Sequence, residues 1–171
     1  ITKLGEEGVL AMVCDSTNVF VDGSAGSEAE VRGTLIPLLA SMTGKVAVAC
    51  FASNVARMDS VCRAAQAAGR RVCLVGRSMI RMASAAKSVG LMADLPPFIS
   101  DGEAKHLPAN GVLYLCTGSQ GEPRAALARI AEGTHPHVSL GQGDACLFSS
   151  RVIPGNDIAI RNLQNNLADR G

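Results

Sequence analysis

Apolar residues in this chain come in short unbroken runs, and each run stops at a group of small polar residues. The runs read VLAMVC over 9–14, KVAVAC over 45–50, VCLV over 72–75, VLYLC over 112–116 and ACLFS over 145–149. They are Val-rich and do not alternate with polar residues, which is the pattern of strands buried on both faces of a parallel sheet. The segments between them carry helix signals. Ser27 and Glu30 form an S-x-x-E capping box that opens a helix running to about Met42, with Gly33 and Pro37 weakening its regularity. Helices are expected over Asn54–Ala68, closed by Gly69, and from Gly76-Arg77-Ser78 to Val89, closed by Gly90. Pro123 suits the first position of a helix reaching Glu132, and 156–168 reads as a last amphipathic helix. Pro96, Pro97 and Pro108 make 91–109 loop-rich, with one helical turn near Asp101–Lys105. This alternation predicts an α/β fold, a three-layer and mostly parallel doubly wound sheet.

In such a sheet all strand C-termini share one edge, where ligands bind. The polar groups that end the runs would form that rim. They are Asp15-Ser16-Thr17-Asn18, Phe51-Ala52-Ser53-Asn54, Thr117-Gly118-Ser119-Gln120-Gly121-Glu122-Pro123 and Ser149-Ser150-Arg151. Ser, Thr, Asn and Gly cap helices and let backbone amides approach a phosphate. Arg57, Arg77, Arg124 and Arg151 fall within a few residues of the same edge, which predicts a basic rim able to hold a polyanion. Arg63, Arg70 and Arg81 are expected on helix faces.

Composition adjusts this picture only modestly. A length of 171 residues suits one domain with a proper core, and a net charge of +1 selects no partner class. Arg outnumbers Lys by 12 to 4, a bias toward bidentate phosphate contacts. No leader-type segment and no apolar run near the ~18 residues of a membrane span is present, so a cytoplasmic chain without a membrane partner is expected. The six cysteines contain no C-x-x-C pair. Cys14, Cys50, Cys73, Cys116 and Cys146 fall in expected buried strands and Cys62 on a helix, so all are read as unpaired core thiols.

The Gly-rich corner over 117–123 lacks the lysine of a Walker A loop and does not fit G-x-G-x-x-G. His135-Pro136-His137 lacks a third and fourth ligand, so no metal is assigned to it. Asp144 shapes a turn, and Pro154-Gly155-Asn156 is a corner without assigned chemistry.

In order, DSTNV, G-S-x-x-S-E, FASNVAR, GRSM, CTGSQGEP and FSSRVIPGN resemble bacterial ribonuclease J, a metallo-β-lactamase-type nuclease of the β-CASP group. The resemblance runs from about Val9 onward. It implies a Rossmann-like β-CASP domain over 21–171, with 1–20 a flanking strand and motif A loop from the junction with the metallo-β-lactamase domain. The implied parent activity is zinc-dependent 5′-to-3′ exonucleolytic and endonucleolytic cleavage of RNA in processing and decay. The family's zinc ligands, an H-x-H-x-D-H cluster, precede the equivalent of residue 1, so this chain is expected to hold no cofactor and to be inactive alone. Asp15 resembles motif A, the acid that orients a catalytic histidine; its other reading is a turn-forming Asp. Ser53 is the candidate for a 5′-phosphate pocket, with Asn54 beside it, and both are also plain N-caps. Phe51 offers either a base-stacking face or a core contact. Thr117, Gly118 and Ser119 are expected to line the RNA path, or else to form a structural turn with Glu122 at a helix start. The implied partners are single-stranded RNA with a 5′-monophosphate and the metallo-β-lactamase domain, and an oligomeric parent is compatible. Two other classes fit the residues: a stand-alone nucleotide- or phosphate-binding module, and a structural module that packs on another domain.

Overall fold

The computed structural model describes residues 2–14, 20–23 and 26–171. Its elements in chain order are α1 (Thr2–Glu7), α2 (Glu28–Ser41), β1 (Val46–Ala49), α3 (Val55–Ala67), β2 (Arg71–Val75), α4 (Arg77–Ser88), α5 (Asp101–Ala104), a 3-10 turn (Ala109–Gly111), β3 (Val112–Cys116), α6 (Ala126–Ala131), β4 (Ala145–Phe148) and α7 (Asp157–Ala168). The four strands form one sheet in the order β2-β3-β1-β4, and every pairing is parallel. A bridge between Cys73 and Ile99 extends the β2 edge by one residue pair. The expected doubly wound α/β architecture is therefore present.

The unbroken apolar runs follow from burial on both sheet faces. Val46, Val48, Leu113 and Leu115 point to one side and pack with Leu35 and Leu39 of α2, Met58 and Val61 of α3, and Met79 and Ala83 of α4. Ala47, Ala49, Tyr114 and Cys116 point to the other and pack with Ala104 of α5, Leu127 and Ile130 of α6 and Leu163 of α7. Strand period two thus splits the core into two halves.

Local signals place most helix ends. Ser27 Oγ accepts from Glu30 N–H while Glu30 Oε2 accepts from Ser27 N–H, the reciprocal box read from sequence. A second such box, Ser100 with Glu103, opens α5. Helix α3 ends in a Schellman motif: Gly69 has φ +71° and Arg70 N–H donates to the Ala65 carbonyl at 2.8 Å.

Five expectations need correction. Residues 9–14 form no strand; Leu10 and Val13 are fully exposed, because no described strand lies beside them to take their backbone groups. Cys14 is accordingly exposed, while Cys50, Cys62, Cys73 and Cys116 are buried and Cys146 half-buried; all six are unpaired. Pro123 does not start a helix. Helix α6 begins at Ala126, and Glu122 instead accepts from the Gln120 N–H at 2.9 Å. Helix α1 was not expected from the sequence. Arg70 does not decorate a helix face: it is 4 % exposed and lies beneath the C-terminal end of α2.

Candidate functional site

Three strand exits meet at one edge of the sheet. Cys50 N–H donates to the Cys116 carbonyl at 3.2 Å, and Ser149 N–H donates to the Ala49 carbonyl at 2.8 Å. The ladder therefore holds the starts of the loops after β1, β3 and β4 side by side. Strand β1 leads to α3 on one face, while its neighbour β3 leads to α6 on the other. Their junction is the point where the winding reverses, the usual place for a ligand in an open α/β sheet.

On the β1 side, Ser53 is exposed, and its hydroxyl makes no hydrogen bond to a described residue. Asn54 caps α3, its Oδ1 accepting from Arg57 N–H at 3.0 Å. Phe51 is half-buried and belongs to neither core cluster. Arg57 is largely engaged within the protein. Its guanidinium grips both carboxylate oxygens of Glu28 at 2.9–3.2 Å and donates to the Ser149 carbonyl and Oγ at 3.0 Å. The Arg57 hydrogen bond holds the Glu28 carboxyl below its ordinary pKa. This bridge ties α2 to the exit of β4.

On the β3 side, the corner is tight enough to require glycine. Gly118 has φ +116°, and a Cβ there would lie 2.9 Å from the Cβ atoms of both Ala125 and Leu127. Gly121 has φ +75°, and a Cβ there would lie 2.5 Å from the Ala159 carbonyl carbon of α7. Thr117 Oγ1 accepts from Ala126 N–H at 3.5 Å, linking strand end to helix start. Ser119 is buried, and among the described residues its Oγ has no hydrogen-bond partner.

Gln120 holds the β3 corner to the segment after β4. Its Nε2 donates to Ser150 Oγ at 3.2 Å and to the Arg151 carbonyl at 2.9 Å. Its Oε1 accepts from Ile153 N–H at 2.9 Å and from Asn156 Nδ2 at 3.2 Å. One buried amide thus satisfies four groups across the corner, the complete use of its hydrogen-bonding capacity. Sequence reading did not single out Gln120. Its signal was a polar residue between two glycines at a strand exit, too short a pattern to distinguish a buried clamp from a solvated loop.

Arg124 and Arg77 are exposed near the same edge, after β3 and β2. Arg151 offers its carbonyl to Gln120. Asp15 lies outside the described residues. Among the described residues, no group of three or more His, Cys, Asp or Glu is placed to hold a metal. His135 Nδ1 accepts from the N–H groups of His137 and Val138 at 3.3 and 3.1 Å, and His137 Nε2 lies 3.6 Å from Asp101. These histidines serve a local turn and a contact to Asp101, and neither belongs to a set of three ligands among the described residues. No helix among them is long and apolar enough to cross a membrane.

The family model described as Ribonuclease J, beta-CASP domain, matches residues 43–167. The chain is 47 % identical over 169 residues to Ribonuclease J of Sinorhizobium meliloti, covering 99 % of this chain and 30 % of the relative. It is 42 % identical over 172 residues to Ribonuclease J of Mycolicibacterium smegmatis, covering all of this chain and 31 % of the relative. Ribonuclease J of Mycoplasma pneumoniae is 36 % identical over 172 residues, with 30 % of that protein covered. The chain therefore spans about three tenths of the length of the relatives it matches.

Proposed function

The chain belongs to the ribonuclease J family and carries its β-CASP domain, and from that premise we propose that the rim formed by the exits of β1, β3 and β4 binds the 5′ end of single-stranded RNA. The observation that carries the proposal is the convergence, at the winding reversal, of the Gly-rich corner after β3 and the Phe51–Asn54 loop, whose Ser53 hydroxyl bonds no described residue. Ser53 supplies a donor to a 5′-phosphate, and Phe51 a ring face for a base. Arg57 acts as a strut that fixes the loop rather than as the main phosphate contact, because Glu28 and Ser149 occupy its donors. The orphan Ser119 hydroxyl supports a binding role, since a buried hydroxyl without a partner costs about 1–3 kcal/mol unless something meets it.

In the complete nuclease, the rim would close one side of the RNA path, while a metal held outside the described residues would supply the hydrolytic chemistry. Asp15 would orient a histidine of that centre through its carboxylate. The chain would span the junction near residue 20, with 21–171 forming the β-CASP domain, and it would act in the cytoplasm. On this reading the chain alone binds RNA without cleaving it.

A titration comparing a nucleoside monophosphate with a 5′-phosphorylated oligoribonucleotide tests the proposal. Tighter binding of the oligonucleotide is expected. Equal affinity for the two would instead identify a small-anion module.

A further inference from the structure

A second basic surface lies along α4, beside the rim but on the β2 side of the sheet. An open groove of about 1650 Å³ begins at Gly76 and Thr117 and extends to His135. That volume exceeds the ~300–1,000 Å³ of small-molecule pockets. Five cations line it: Arg77, Arg81 and Lys87 from α4, Arg124 from the loop after β3, and Arg129 from α6. Only two carboxylates, Asp101 and Glu122, face them, so the groove carries five positive charges against two negative. The whole chain has a net charge of +1, so positive charge is concentrated here.

Both carboxylates are already engaged. Glu122 accepts from Gln120 N–H, while Asp101 accepts from Gly102 N–H and faces His137. Arg77, Arg81, Arg124 and Arg129 are exposed and form no ion pair with any described residue. Lys87 sits 4.4 Å above the Phe98 ring, which holds one charge at the groove wall. Helix α4 also begins in the groove at Gly76 without a side-chain cap, leaving first-turn N–H groups available there. Arginines on several elements around one large concavity, unpaired among the described residues, match a chain of phosphates better than a single anion.

We propose that this groove is a second contact track for the phosphodiester backbone of single-stranded RNA, continuing from the rim along α4. The inference rests on the RNA-binding reading of the rim. It adds a sequence-independent track that needs no 5′-phosphate.

The test uses the 171-residue chain and a 12-nucleotide single strand with a 5′-hydroxyl, followed by fluorescence anisotropy across a salt series. For a single strand, log K falls with log[salt] at a slope of about −0.7 per phosphate contact. The double variant Arg81→Ala with Arg129→Ala should therefore flatten the slope by about 1.4 and weaken binding roughly 3–10-fold at low salt. Arg161→Ala, an exposed arginine of α7 outside the groove, should leave the slope unchanged. Matching far-ultraviolet circular dichroism and melting would show that the double variant is folded, and Arg81→Lys with Arg129→Lys should restore most of the slope. An unchanged slope in the folded double variant would overturn the track. So would displacement of the RNA by poly-glutamate at equal charge concentration, which would assign the groove to an acidic protein. Equal affinity of the unsubstituted chain for the same strand carrying a 5′-monophosphate, with the salt effect intact, would refute the rim reading and leave the groove standing.

Discussion

Replacing Arg70 should be among the most damaging changes outside the candidate site. Its guanidinium is buried, and no described carboxylate pairs with it. It donates to the carbonyls of Gly44 (2.9 Å), Val112 (3.1 Å), Leu39 (3.4 Å), Ala109 (3.4 Å) and Met42. One side chain thereby joins the end of α2, the approach to β1 and the start of β3. Burial lowers its pKa from the ordinary guanidinium value, but an arginine remains charged in a protein. Arg70→Ala removes every one of these donors. The carbonyls near the surface can recruit water. The Leu39 carbonyl belongs to a residue that is 0 % exposed, so water reaches it poorly, while that of Val112 keeps only its strand pairing with β1. Each stranded acceptor costs about 1–3 kcal/mol, and relief of the buried charge offsets part of that. The net loss should be about 3–5 kcal/mol, a large fraction of the 5–15 kcal/mol typical of a domain. At about 2–4 °C per kcal/mol for this size, the midpoint should fall by roughly 6–20 °C. Urea denaturation gives the free energy directly, with Arg70→Met as the control that keeps the apolar stem but not the donors. If Arg70→Met unfolds within about 0.5 kcal/mol of the parent, the carbonyl network contributes nothing and the reasoning fails.

Further outcomes follow from the same geometry. The Glu28 carboxyl has a pKa below 4.5 when folded, so its bridge stabilises the fold above that pH; the contribution disappears as pH falls from about 4.5 through the lowered value. Because Glu28 is partly exposed, Glu28→Gln should remove no more than ~1 kcal/mol of this acid-side dependence, read from denaturation at pH 3–6; a variant with the parent's pH profile would refute it. Thiol labelling at pH 8 should modify Cys14 rapidly and the other five slowly, since burial pushes Cys50 and Cys73 to about 11 and Cys62 and Cys146 to about 12 and raises Cys116 as well. Fast reaction of three or more would show that the core is loosely packed. Gly121→Ala should cost about 1–3 kcal/mol, because its positive φ and the Ala159 backbone leave no place for a Cβ; a neutral effect on the melting temperature would contradict that packing. The purified chain with added zinc or manganese should not cleave RNA above background, and metal-dependent cleavage abolished by His135→Ala with His137→Ala would place a catalytic centre in the turn that those histidines form.

The fold was legible where burial is uniform. Lys45–Cys50, 72–75, Val112–Cys116 and 145–149 are apolar without interruption because helices cover both sheet faces, and composition alone reveals that state. Gly69 and Gly90 marked helix ends because only glycine adopts positive φ cheaply there. The same logic failed at 9–14, whose pattern describes a strand but cannot say which strand lies beside it; among the described residues none does. Arg70 was misread because its type suggests surface. It immediately follows Gly69, and the residue after such a glycine turns back onto the preceding helix, so position outweighed polarity. At the rim, the motifs marked the strand-exit corners but not the allocation of donors. Arg57 reads as a phosphate ligand until the structure places Glu28, 29 positions earlier, against it. Gln120 could be found only through its four partners, which lie 30–36 residues away.

The most direct test of the account is the affinity of the chain for one oligoribonucleotide carrying either a 5′-monophosphate or a 5′-hydroxyl, measured in parallel with Ser53→Ala. The parent should prefer the phosphorylated strand by about 5–30-fold, the worth of one or two charge-assisted hydrogen bonds after competition with water. Ser53→Ala should reduce that preference several-fold while leaving the 5′-hydroxyl strand unchanged. Equal binding of the two strands by the parent, or an equal loss for both in Ser53→Ala, would contradict a 5′-phosphate site at this rim.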